Sequence, residues 1–83
     1  MDKLIVGRFY KCKATSTYIA VLKHLTKLEC YLVEYIDTEH KFSSRTAVEY
    51  DEVPWYELSD ETYEEVIERI PEENRVLAMR RRK

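Results

Sequence analysis

Glycine is almost missing from this chain. Gly7 is the only one, Asn74 is the only asparagine, and there is no glutamine. A phosphate-cradling loop needs several glycines so that backbone N–H groups can close on the anion. This sequence cannot build one. Bidentate reading of adenine uses Asn or Gln, and a single candidate exists. Cysteine is as sparse, since Cys12 and Cys30 alone do not make a disulfide framework. Long apolar runs are also lacking. The longest, residues 18–22, has five residues, against about 20 for a transmembrane helix. No membrane partner is expected. Residues 1–6 carry neither the apolar core nor the small-residue cleavage pattern of an export signal. A cytoplasmic location with both thiols reduced is the expectation.

Assembled chemistry is lacking too. Cys12, His24, Cys30 and His40 are a nominal zinc set. They contain no close Cys–Cys or His–His pair of the kind structural zinc sites use, so neither a metal nor a cofactor is expected. Nothing local activates either thiol, and no glycine-rich turn offers an oxyanion hole. Asp51/Glu52 and Glu64/Glu65 are adjacent acids on a surface, whereas general acid–base work needs two carboxylates in different environments of one cleft. The chain reads as a non-enzyme.

What is present is a charged, tyrosine-rich domain. Eighty-three residues suffice for one domain. At 45% hydrophobic and 36% charged, the chain is too apolar to stay disordered. Residues 1–73 are expected as a single domain and 74–83 as a basic tail. Residues 4–12, 41–50 and 53–58 read as strands, the last at an edge because Pro54 cannot donate to a ladder. In 41–50, Phe42, Ser44, Thr46, Val48 and Tyr50 share one face. Ser59 reads as the N-cap of a helix with Asp60 and Glu61 in its first turn. Tyr63, Val66, Ile67 and Ile70 form its buried stripe, and Pro71 stops it. A further helix at residues 75–79 is an option.

Residues 16–36 support two readings. Tyr18, Val21, Leu22, Leu25, Leu28, Leu32, Tyr35 and Ile36 fall on one helical face, and no Gly, Pro, Asn or Asp lies in 25–29 to make a turn. The β-branched and aromatic content of both halves argues instead for two strands. The tyrosine-rich strand series followed by Trp55-Tyr56-Glu57-Leu58-Ser59-Asp60-Glu61-Thr62-Tyr63-Glu64-Glu65-Val66 resembles small, uncharacterised accessory proteins of phages and bacteria, in which a β-meander precedes a C-terminal helix. The resemblance implies a β-rich fold and no defined activity. It favours two strands. The expected class is α+β: a small antiparallel sheet or open barrel with a C-terminal helix. The alternative is a β-α-β-β-α arrangement with a long helix at 16–36.

Charge is unevenly spread. Residues 1–48 carry eight Lys/Arg and five Asp/Glu, residues 49–73 carry eleven Asp/Glu and one Arg, and residues 74–83 carry five Lys/Arg and no acid. An acidic block of this density steers a basic partner. On the outer face of a helix it also simply confers solubility. Of the seven tyrosines, four or five are expected as core filler. The leading expectation is a protein-interaction module of the phage-encoded, host- or defence-modulating kind. Its contact residues are Trp55, Tyr56, Glu57, Asp60, Glu61, Glu64, Glu65 and Glu68, and its partner is a protein with a basic surface. The alternative is a nucleic-acid-binding module using Lys11, Lys13, Lys23, Arg45, Arg80, Arg81, Arg82 and Lys83 with sheet tyrosines. Self-association through an edge strand is a third option.

Overall fold

The structure, a computed structural model, describes residues 3–76. In chain order it contains β1 (Phe9–Cys12), β2 (Thr17–Leu25), β3 (Cys30–Asp37), β4 (Phe42–Glu49), β5 (Tyr56–Leu58) and α1 (Tyr63–Ile67). The strands form one open antiparallel sheet in the order β4-β3-β2-β1-β5. The barrel is not closed, and β4 and β5 are its two edges.

The segment 16–36 is therefore two strands, and the long-helix alternative is overturned. A turn forms there without glycine. Thr26–Leu28 makes one 3-10 turn, and Glu29 takes a left-handed conformation at φ 55°. The helical look of the sequence arises because both faces of the sheet are buried, which erases clean alternation. On one face Tyr10, Ile19, Val21, Tyr31, Val33 and Val48 pack with Leu4 and Val53. On the other, Tyr18, Ala20 and Ile36 lie under Tyr63, Val66, Ile67 and Ile70.

A β-bulge sits in β2. Val21 pairs with Val33 and Lys23 with Leu32, so Leu22 is the extra residue. Without it, Lys23 would turn into the first core. With it, Lys23 joins the face that α1 partly covers.

Tyrosine hydroxyls tie the outer segments to the sheet. Leu4 N–H donates to Tyr31 Oη at 3.3 Å, and Ile5 N–H to Tyr10 Oη at 2.9 Å. Tyr63 Oη donates to the carboxylate of Glu34, whose side chain is fully buried in the sheet.

Several expected boundaries move. The strand expected at 4–12 is Phe9–Cys12 alone, and the helix expected to stop at Pro71 ends at Ile67. The helix N-cap is Thr62, whose side chain accepts from Glu65 N–H while the Glu65 carboxylate accepts from Thr62 N–H. Ser59 instead forms a tight turn, its hydroxyl accepting from Glu61 N–H at 2.9 Å. Asp60 and Glu61 thus precede the helix rather than open it. Residues 53–55 belong to a 3-10 helix, Tyr50–Trp55, and only Tyr56–Leu58 is strand. Arg75 and Val76 are not helical, and residues 77–79 lie outside the described residues. The chain stays attached beyond residue 73. Asn74 Nδ2 donates to Lys41 O at 2.9 Å, and Val76 N–H to Ser43 Oγ at 2.7 Å.

Candidate functional site

The acidic third of the chain packs its 3-10 helix on one face of the sheet, forms the edge strand β5, and packs α1 on the other face. At its start, Glu49 and Glu52 make a capping box, with Glu52 Oε1 accepting from Glu49 N–H at 3.0 Å. Val53 plugs the first core. This fixes Trp55. Its carbonyl accepts from Lys13 N–H at 2.8 Å, so its backbone is pinned to the β1–β2 turn. Its indole remains 58% exposed. A large aromatic ring on a fixed backbone is the arrangement that interface anchors use, because little entropy is left to lose on binding.

Tyr56 turns the other way. It is half-buried against the first core, opposite Cys12. Burial first, with the neighbouring Cys12, Tyr35 and Glu52 groups adding to it, pushes its hydroxyl up to about 12. It packs on the first core and offers little contact surface of its own. Glu57 faces the side that α1 covers, paired in register with Lys11.

The acids beyond β5 divide into two sets. Glu61 accepts a hydrogen bond from Tyr18 Oη at 2.7 Å and an ion-paired one from Arg69. Arg69 and Tyr18, in that order, hold its carboxyl below the ordinary value. The Tyr18 hydroxyl is correspondingly raised, by burial and then by Glu61. Glu65 is committed to the Thr62 capping box. These two carboxylates have structural work. By contrast, Glu57, Asp60, Glu64 and Glu68 are exposed, and none makes a hydrogen bond or ion pair among the described residues. Glu68 is also the C-cap of α1. A carboxylate at that end opposes the helix dipole.

Between α1, β5 and the start of β1 lies an open groove of about 500 Å³. Phe9, Leu58 and Tyr63 contribute apolar wall, Glu61 and Glu64 carboxylates, and Arg8 one cation. Leu58 is itself half-exposed. β5 is three residues long, so the groove and Trp55 lie roughly 10 Å apart at about 3.3 Å per residue.

Among the described residues, the basic side chains do not gather on one surface, though Lys23 and Arg45 share a cavity. Lys11 Nζ lies 5.8 Å from the Tyr18 ring centroid and donates to Cys12 O and Thr15 O. Lys13 is in the β1–β2 turn. Lys23 and Arg45 line a different cavity. Arg80, Arg81, Arg82 and Lys83 lie outside the described residues. The tyrosines expected for base stacking are mostly core: Tyr10, Tyr18, Tyr31 and Tyr63 are buried.

The thiols and imidazoles form no common site. Cys12 and Cys30 are buried free thiols. Burial opposes ionisation of Cys12, but hydrogen bonds from Thr15, from the Ala14 and Thr15 backbone and from Thr17 outweigh it and lower its value. His24 stacks on Tyr31 at 4.4 Å, and its Nε2 lies 2.6 Å from Tyr50 Oη. His40 pairs with Asp37 at 3.0 Å. Among the described residues no three of His, Cys, Asp and Glu gather to hold a metal, and no helix is long and apolar enough to cross a membrane.

Sequence reasoning missed two features here. The Thr62–Glu65 capping box was legible as Thr-x-x-Glu. The confinement of Glu61 by Tyr18 and Arg69 was not, because it joins residues 43 positions apart. Comparison with family models, curated proteins and solved structures gives no match.

Proposed function

We propose that this chain is a non-enzymatic protein-interaction module that engages a partner with a basic surface. The contact is centred on Trp55 and on the carboxylates Glu57, Asp60, Glu64 and Glu68, with Leu58 beside them. The observation that carries the reading is the exposed indole of Trp55 on a backbone pinned to Lys13. Four exposed acids, from β5 to the end of α1, make no side-chain hydrogen bond or ion pair among the described residues. Glu65 acts from behind by capping the helix, Glu61 by holding Tyr18 and Arg69, and Tyr56 by packing on the first core. The resemblance to phage and bacterial accessory proteins extends the proposal to modulation or inhibition of a host or defence protein. A reducing, cytosolic setting accords with two buried free thiols.

The test is capture from a host lysate by the immobilised full chain and by a Glu57→Lys/Asp60→Lys/Glu64→Lys/Glu68→Lys variant. All four positions are exposed, so circular dichroism should show the fold retained. Loss of the captured protein in the variant supports the reading. Equal capture by a folded variant overturns it.

A further inference from the structure

α1 is only five residues long, and it packs over Tyr18, Ala20 and Ile36. Beside these, a cavity stays open among the described residues. There Leu22 and Leu32 form an apolar floor, Val6 stands as a wall, and Lys23 and Arg45 form the rim of a cavity of about 420 Å³. Val6 is 51% exposed, and its neighbour Ile5 is as open. The cavity crosses β2, β3 and β4, so it runs across the strands.

The arrangement is made by the bulge. The extra residue, Leu22, breaks the register, and Lys23 then sits opposite Leu32 at the cavity instead of in the core. Gly7, at φ +92°, lets the N-terminal segment turn beside it, and nothing lies within 4 Å of where its Cβ would be. Neither Lys23 nor Arg45 pairs with a carboxylate among the described residues. Arg45 stands opposite Glu34 in register, but that carboxylate is buried beneath Tyr63. No acidic residue is among the described residues that line the cavity.

We propose that this cavity is a docking site for an acidic amphipathic helix of a partner protein. The helix lies over this cavity, across β2, β3 and β4. Its apolar stripe rests on Leu22, Leu32 and Val6, and its carboxylates meet Lys23 and Arg45. Charge complementarity selects the occupant. The site is too open to enclose a small molecule, which needs most of its surface buried. It offers no exposed aromatic ring to stack a base. Its small area implies weak, transient binding in the micromolar range. The site is independent of the acidic surface around Trp55.

The probe is a synthetic helix of alternating Leu-Leu-Glu-Glu blocks, titrated into the full, isotopically labelled chain and followed by NMR. A Gln-for-Glu version of the peptide is the control. Saturable shifts at Val6, Leu22, Lys23, Leu32 and Arg45 are expected. So is about a tenfold loss of affinity in Lys23→Glu/Arg45→Glu and with the Gln peptide. Glu64→Lys/Glu68→Lys should bind the Glu peptide at least as well as wild type. Four results overturn the proposal: shifts confined to other residues; undiminished binding by a folded Lys23→Glu/Arg45→Glu protein; the same shifts on concentrating the chain alone, which assigns the site to a second copy; or tighter occupation of it by single-stranded DNA than by the Glu peptide. Contacts from residues 77–83 to Leu32 in the free chain also overturn it.

Discussion

At the scale of single residues, the β3–β4 turn holds a pH-sensitive pair. Asp37 accepts from the backbone N–H groups of Glu39 and His40 and meets the His40 ring at 3.0 Å. Burial opposes ionisation of Asp37, but these hydrogen bonds and the imidazolium charge outweigh it, and its carboxyl falls below the ordinary 3.8. The hydrogen bond and charge of Asp37 raise His40 above 6.5. A raised histidine stabilises the folded state fully below 6.5, and this is lost as pH rises through the raised value. A depressed aspartate stabilises it above 3.8, and this is lost as pH falls through the depressed value. The turn is thus firmest between those limits. An NMR titration should place the His40 midpoint above 6.5 in the wild type and return it toward 6.5 in Asp37→Asn. Glu68 gives a second residue-scale expectation. If its carboxylate is kept for a partner against the helix dipole, Glu68→Lys should raise stability by a few tenths of a kcal/mol. The same change should weaken partner capture. Urea unfolding and capture, measured on one sample, check both signs.

At the scale of elements, the helix and the meander were readable from the sequence for different reasons. The stripe Tyr63, Val66, Ile67, Ile70 survives even though α1 ends at Ile67, because Arg69 and Ile70 continue it in tight turns, with Arg69 N–H bonded to Val66 O and Ile70 N–H to Ile67 O. Its start was misplaced because Ser59 and Thr62 are both good caps, and only Thr62 has a Glu three residues on. Thr62→Ala should cost about 1 kcal/mol in urea unfolding. The hairpin of β2 and β3 was harder to read. No glycine marks its turn, and Leu22 bulges out of register. Those two facts let eight residues of 16–36 mimic a helical face. The burial of both sheet faces, which no local pattern encodes, completes the disguise. The site was legible as composition and only partly as geometry. The density of acid and the single Trp55 stand out in the sequence. That Tyr56 turns inward, and that Glu61 is held by Tyr18 and Arg69, depends on strand pairing across long sequence separations.

At the scale of the whole molecule, the sheet carries a core on each face, and the second depends on a short helix. Tyr63 anchors that helix through Glu34, with Oη–carboxylate distances of 3.1 Å. Removing a partner from a buried hydrogen-bonding group costs about 1–3 kcal/mol. Tyr63→Phe should lower stability by about that much, measured by urea unfolding, while leaving strand content unchanged by circular dichroism. The molecule then presents two unlike surfaces, one acidic with an indole and one apolar with a basic rim. The proposed partner contact lies on the first. Trp55 is the only tryptophan, so its emission reports on that surface alone. Titration with the captured partner should shift the emission to shorter wavelength and protect it from acrylamide quenching, both saturating with the binding isotherm. A partner whose binding is verified by sedimentation, yet which leaves the emission and quenching of Trp55 unchanged, would contradict it.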